Sequence, residues 1–520
     1  MFIAKNSVWF TCVLALIAAG ALAFRLYRLD QRPMHTDEAV HTAKAGELLE
    51  TGRYVYDPHE YHGPTIYYAA LPFLWAGGAR TLAGASEWMF RVVPVIFGVG
   101  LILLFAGLAN GIGRGAALAA AALTALSPAM VFYSRYYIQE VPFVFFGAGL
   151  IVSGWRYALS RRPAWALCAG VCAGLMAATK ETCILAWAAM GGGLAVVALL
   201  ERPKAALARA WLADLSWRHV AWAALAAFVV AETVISGFWT NPRGALDLLV
   251  THFHYMNRTA EVRLHDQPWH YYLKMLAYTK YGPGPWWSEG LILGLAAVGG
   301  VMAWRRPNDS SPDARLRRFI AAYTVLLAAV YSAIPYKTPW CLLGFLHGMI
   351  ALAGIGAAGL VRAMPHVALR GAVAAALALA ACQLGAQAQR ACFTFDADPR
   401  NPYVYGHTSR NLLRLVERCE DIARVAPEGR HLLIKVLTLD SWPLPWYLRA
   451  FDRVGYWPGP VDDPDAAIVI TSAENQEIVE GRLKGKYLTE LYGLRPEVLI
   501  AAYIRQDLWD AFMKEQLSGP

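Results

Sequence analysis

FRVVPVIFGVGLILLFAGLA (Phe90–Ala109) and AALAAAALTALSPAMVF (Ala116–Phe132) flank the turn Gly111-Ile112-Gly113-Arg114-Gly115. Each run is close to the roughly 20 apolar residues that a helix needs to cross a bilayer. No strand precedes the glycine-rich turn, so it joins two spans and is not a nucleotide loop. Similar runs recur at Val8–Phe24, Val141–Leu159, Ala164–Thr179, Cys183–Leu200, Val220–Trp239, Trp286–Trp304, Phe319–Ile334, Trp340–Val361 and Ala368–Gln387. Eleven spans are expected.

Composition supports a polytopic membrane protein. The 520 residues are 57% hydrophobic and only 16% charged, whereas soluble domains carry about 25% charge. The 19 Trp and 25 Tyr suit membrane–water interfaces. The net charge of +9 is therefore no sign of nucleic acid, and 8 Cys spread over this length do not make a disulfide scaffold. The first run, with Lys5 before it and Ala21-Leu22-Ala23 at its end, could also be a cleaved signal peptide spanning residues 1–23.

Lys and Arg set the orientation. Lys5, Arg114, Arg156, Arg161, Arg162, a cluster from Arg202 to Arg218, another from Arg305 to Arg318, Arg362 and Arg370 share one side, expected to be cytoplasmic. Thr65–Ala79 is apolar but short and contains Pro72, so it reads as a helix lying on or dipping into the membrane. Leu29–Trp88 then forms a long first external loop in a multi-pass protein of the inner (plasma) membrane. Residues 1–387 are expected to form the membrane domain, with the loop 29–88 carrying its acidic motif. Residues 388–520, where charge returns, are expected to form an extracytoplasmic α/β domain. His431–Asp440 and Ala466–Ser472 read as its buried strands, Leu412–Ala423 and Gln506–Gln516 as amphipathic helices. Cys392 and Cys419 share that compartment and could form a disulfide. Cys168 and Cys172 lie on an apolar helix without His or Asp company and read as packing residues.

Chemistry concentrates in the first loop, at His35-Thr36-Asp37-Glu38-Ala39-Val40-His41, followed by Tyr61-His62-Gly63-Pro64. On a helix, Asp37 and His41 fall on one face. Adjacent carboxylates beside imidazoles could deprotonate a hydroxyl or, through His35, Asp37 and His41, hold a divalent metal ion. The bland alternative is a solvated helix whose Asp and His only cap and pair. Other external ends add Ser134-Arg135 and Glu140, Lys180-Glu181-Thr182, and Pro335-Tyr336-Lys337-Thr338-Pro339-Trp340. Charges at membrane depth need a partner or a ligand, and cations there suit a lipid phosphate. Glu232 and His347 fall inside spans, where bonding to a neighbouring helix is the simpler reading.

These residues resemble the GT-C membrane glycosyltransferases. His35-x-Asp37-Glu38 is similar to the H-x-D-E of protein O-mannosyltransferases. His62-Gly63-Pro64-x-x-Tyr67-Tyr68 resembles the K-P-P-L-x-Y-W stretch of aminoarabinose transferases, and Ser134-Arg135 with Glu140 resembles their S-R…D segment. Taken with Tyr336-Lys337-Thr338-Pro339-Trp340, Asn401–Tyr405 and Trp442–Tyr447, the motifs look most like the flippase-activity-associated family of archaeal N-glycosylation, which has bacterial members.

The resemblance implies transfer of a sugar from a polyprenyl-phosphate donor to a glycan, lipid or protein acceptor on the outer face, with inversion. It implies Asp37 as general base, with Glu38 beside it in the catalytic set. Arg135, Lys180, Lys337 and His62 would hold the donor phosphate; His35, Glu140, Tyr336 and Trp340 would position substrate. Two departures stand out. His62 replaces a lysine, so a phosphate role depends on its protonation. Trp286-Trp287-Ser288-Glu289-Gly290 lacks the Asp and Tyr of the oligosaccharyltransferase W-W-D-Y-G, against sequon-directed transfer. A non-catalytic factor for lipid-linked oligosaccharide translocation and a transporter remain as alternatives; the first loses nothing with Asp37, the second depends on Glu232 or His347.

Overall fold

A computed structural model describes residues 8–59, 62–200, 215–244, 246–251, 253, 265–305, 309 and 311–518. Lys5, Tyr61, Arg202, Lys204, Arg209 and Arg306, used above for motif and orientation, lie outside these residues. The chain is mostly helical. Among the described residues, eight helices are long and apolar enough to cross a membrane. They include α1 (Val8–Leu26), α4 (Glu87–Ile112), α7 (Glu140–Ser160), α9 (Cys183–Leu200), α10 (Trp217–Ile235), α12 (Pro312–Ala333), α13 (Leu343–Ala363) and α14 (Val367–Gln389). Between α1 and α4 lie α2 (Thr36–Thr51) and the short apolar α3 (Thr65–Ala76).

Three runs expected as full spans form shorter helices: α5 (Arg114–Leu126), α8 (Pro163–Thr179) and α11 (Gly290–Trp304). The run Ala116–Phe132 breaks at Ser127-Pro128 and resumes as α6 (Pro128–Tyr133). Proline cannot donate to the helix ladder, so the break frees main-chain groups that need partners at this depth. Glu289, at the start of α11, supplies them: it accepts from Ser127 Oγ at 2.6 Å and Ala129 N at 2.9 Å, and from Tyr403 Oη at 3.0 Å. The Trp-Trp-Ser-Glu-Gly stretch is thus a brace for a broken helix. Small residues close the bundle, as bilayer packing favours: a Cβ at Gly299 would fall 1.9 Å from the Leu352 carbonyl oxygen.

After α14 the chain makes a short π-helical turn and builds a five-stranded sheet. Its strands are β1 (Ile434–Leu437), β2 (Val454–Trp457), β3 (Ile468–Ser472), β4 (Tyr487–Arg495) and β5 (Val498–Arg505), in the order β2-β1-β3-β5-β4. β1 is parallel to β2 and β3; β5 is antiparallel to β3 and β4. Helices α15 (Asn411–Val425) and α16 (Gln506–Ser518) cover one face through Leu415, Ile422, Leu508 and Phe512. The suggested disulfide is absent. Cys392 packs into the core of the helical bundle and Cys419 into the core of the sheet, and both are free.

Candidate active site

Helix α2 starts at a capping box built on His35. Its Nδ1 accepts from Asp37 N at 3.0 Å, while Glu38 Oε2 accepts from His35 N at 3.1 Å. This start puts the two adjacent acids in opposite environments. Glu38 is fully buried beneath five donors: Arg32 Nη2, Arg91 Nε and Nη2, His35 N and Tyr137 N, at 2.9 to 3.1 Å. Burial alone would raise its carboxyl pKa; Arg32 and Arg91 more than reverse this and hold it well below the usual range. Glu38, expected in the catalytic set, is engaged by these five donors and ties the start of α2 to Arg32 and Arg91. Asp37 has 44% of its side chain exposed, and its nearest ion partner is His35 at 3.9 Å.

Four linking segments converge around Asp37. His41, buried on the same face of α2, has Nδ1 3.0 Å from Tyr67 Oη and 3.4 Å from Gln139 Nε2. Burial pushes its imidazole down to about 3, so it is neutral. His62 meets Glu181 at 2.7 Å, and Lys180 meets Glu140 at 2.5 Å. Trp340 packs against His35, Tyr136 and Tyr405. Tyr336 feels the charges of both Lys180 and Asp37, and the Asp37 charge also reaches His35, His41 and His265. Asp37 is thus a half-exposed carboxylate whose charge reaches three imidazoles and Tyr336, a ring that also senses Lys180.

Below Lys180, Glu140 and Trp340 an apolar cavity of about 50 Å³ runs between the helices to His347. His347 is therefore on the cavity wall, beside Phe105. Glu232 is buried in α10.

Other candidates are turned elsewhere. Arg135 donates from Nη1 to the carbonyls of Phe24, Arg25 and Tyr27, and from Nη2 to that of Arg28. Expected as a phosphate ligand, it closes the end of α1, as a basic side chain does at the last carbonyls of a helix. Ser134 completes the join by accepting from Arg25 Nε at 2.7 Å. Lys337 Nζ donates to the main-chain oxygens of Gln267, at 3.1 Å, and Ile334. It ties two loops together.

The suggested metal set does not fit. Both ring nitrogens of His35 are engaged, Nδ1 by Asp37 N and Nε2 by the Tyr405 carbonyl, while His41 turns to Tyr67. Among the described residues no group of three His, Cys, Asp or Glu converges.

Sequence reasoning missed Arg32, Arg91, His265 and His407. Arg91 carried a signal: a charge just inside an apolar run demands a buried partner. His407 packs against His35, tilted, at 5.0 Å between ring centres, with no motif of its own to reveal it.

Residues 16–241 match the family of dolichyl-phosphate-mannose-protein mannosyltransferases. No curated protein sequence matches the chain. Among solved structures, ArnT from Cupriavidus metallidurans in the apo state superposes with a TM-score of 0.65 at 14% identity, covering 95% of this chain and 98% of that one. ArnT bound to undecaprenyl phosphate gives 0.61 at 15%, covering 94% and 97%. The oligosaccharyltransferase AglB from Archaeoglobus fulgidus, in complex with an inhibitory peptide and a dolichol-phosphate, gives 0.55 at 12%, covering 99% and 78%. At these identities the structural likeness speaks for the fold. The chain thus shares the fold of these membrane proteins along nearly its whole length, and its residues 16–241, the first loop included, are similar to the mannosyltransferase family.

Proposed function

We propose that the protein transfers a sugar from a polyprenyl-phosphate donor to an acceptor hydroxyl on the extracytoplasmic side of the inner membrane, with Asp37 as general base. The observation that carries this reading is the contrast within one helical turn: Glu38 is saturated by five donors, whereas Asp37 stays half-exposed without a Lys or Arg ion pair among the described residues. The carrier class follows from the family and from ArnT and AglB, whose structures hold undecaprenyl phosphate and dolichol-phosphate.

In this reading Asp37 takes the acceptor proton as the acceptor oxygen attacks the anomeric carbon. The bond from that carbon to the phosphate oxygen breaks, and polyprenyl phosphate leaves with the electron pair. Lys180 stabilises the departing phosphate, exchanging part of its contact with Glu140. His62, held by Glu181, supports the same group when protonated. Tyr336 and Trp340 give the sugar its walls, with His35 behind them. The apolar cavity below Lys180 suits the first isoprenoid carbons. Attack opposite the leaving group inverts the anomeric centre, by the geometry of inverting hydrolases. The acceptor is a glycan, lipid or protein that reaches Asp37 between the first loop and residues 388–520, which we read as the extracytoplasmic domain.

The test is the mass of lipid-linked and protein-linked glycans in cells carrying Asp37→Asn at wild-type level. Loss of a general base costs about 10²–10⁴ in rate. One defined sugar should vanish while its shorter precursor accumulates. Unchanged glycans would overturn the reading.

A further inference from the structure

The three residues leading into Asp37 are all held by residues that follow the last span. Met34 N donates to Tyr447 Oη at 2.7 Å, and its carbonyl accepts from Thr408 Oγ1 at 2.6 Å. His35 Nε2 lies 2.9 Å from the Tyr405 carbonyl. That contact puts the ring proton on Nε2 and leaves Nδ1 to accept from Asp37 N, as the cap requires. Thr36 Oγ1 accepts from Arg495 Nη1 at 3.2 Å, while Arg495 Nη2 is bound to Asp440 Oδ1 at 2.5 Å. Arg495 ends β4 just past a register shift between Gly493 and Arg495, and such irregularities re-aim side chains.

We infer that Tyr405, Thr408, Tyr447 and Arg495 are positioning residues for Asp37, so that the C-terminal α/β part sets the carboxylate from outside the helical bundle. The carboxylate of Asp37 has no Lys or Arg ion pair among the described residues, so its direction follows the backbone of residues 34–37. Glu38 fixes that backbone from the bundle side through Arg32 and Arg91. The four C-terminal residues fix it from the other side. Removing them leaves the helix formed but lets its first turn shift, and a 1 Å misplacement of a catalytic group can cost about a hundredfold.

The inference rests on Asp37 being the base, and its test separates the two claims. Thr36→Val, Arg495→Ala and the double variant are made in the full-length protein. Hydrogen exchange of residues 33–40 is followed in detergent, and product glycan is followed in cells. Each single variant should raise exchange in residues 33–40 and lower product about ten- to a hundredfold. The double variant should do no worse than either single, because both delete one contact. Additive losses, or no change in exchange, would overturn the inference.

Tyr447→Phe removes one hydroxyl only. If Arg495→Ala loosens the whole sheet, this variant decides: a local rise in exchange supports the inference and none refutes it. If exchange rises as expected but product is indifferent to these variants and to Asp37→Asn alike, the contacts stand and the catalytic reading falls.

Discussion

Arg91 grips Glu38 with two parallel hydrogen bonds, Nε to Oε1 and Nη2 to Oε2, each at 2.9 Å, and both side chains are fully buried. The pair joins α4 to the start of α2. Arg32 adds a third bond to the same carboxylate. Glu38→Gln would leave two buried guanidinium groups without a counter-charge, and breaking such a pair costs about 3–5 kcal/mol. The expected result is a protein that survives less heating in detergent before it aggregates, by size-exclusion chromatography. Asp37→Asn, whose side chain has no such partners, should survive like the parent. Equal heat resistance for Glu38→Gln and the parent would remove the anchoring role.

Acid should weaken the same region. Burial lowers the pKa of His35, His41 and His407, so each takes up a proton less readily in the fold than in the unfolded chain, which binds one below about 6.5. The stability these neutral rings permit is complete above that pH and is lost as pH falls toward the folded value, which for His41 is about 3. The slope is at most about 1.4 kcal/mol per pH unit for each ring. Glu38, with a depressed pKa, adds its own loss only below about 4.3. The thermal midpoint should therefore drop between pH 7.5 and 5, and less so in His41→Gln. A drop of equal size in that variant would exclude His41 as a source.

The sequence brought the residues of the candidate site together more readily than it told their surroundings apart. His35, Asp37 and His41 stand close together in the chain, and helical spacing alone puts Asp37 and His41 on one face. The different fates of Asp37 and Glu38 depend on Arg91, which is 53 residues away inside an apolar run. Arg135 could be read as a phosphate ligand because nothing local shows that α1 ends beside it. The break at Pro128 was visible as a proline, but its partner Glu289 comes from another helix. In the C-terminal part, β1 and β3 showed as continuous apolar stretches. β4 is mostly half-buried, with only Tyr492 and Leu494 fully covered, and carries charge, so it did not read as a strand.

Gly63 fits against α8 without room for a side chain. A Cβ there would fall 1.9 Å from the Ala178 carbonyl oxygen and 2.4 Å from its carbon, both main-chain atoms that cannot rotate away. The same carbonyl accepts from Thr65 Oγ1 at 2.7 Å. Gly63→Ala should push the start of α3 off α8 and draw His62 from Glu181, at about 1–3 kcal/mol as for other overpacked sites. The check is the thermal midpoint by intrinsic tryptophan fluorescence. A midpoint equal to the parent's would mean that the α3 turn yields freely.

Lys180 and Glu140 pose a question of role that two substitutions can answer. Their ion pair is 2.5 Å long, and the two side chains are only 5% and 6% exposed. Lys180→Met alone leaves a buried carboxylate uncompensated, so the protein should lose stability by about 3–5 kcal/mol. Lys180→Met with Glu140→Gln removes both charges, and replacing a whole buried pair by neutral groups of similar size is often harmless. Heat resistance should return in the double variant. Transfer should not, because the departing phosphate has lost its cation. Measuring thermal survival and product glycan on the same three proteins separates the functions: recovery of both together would reduce Lys180 to a structural partner of Glu140 and pass the phosphate to another group.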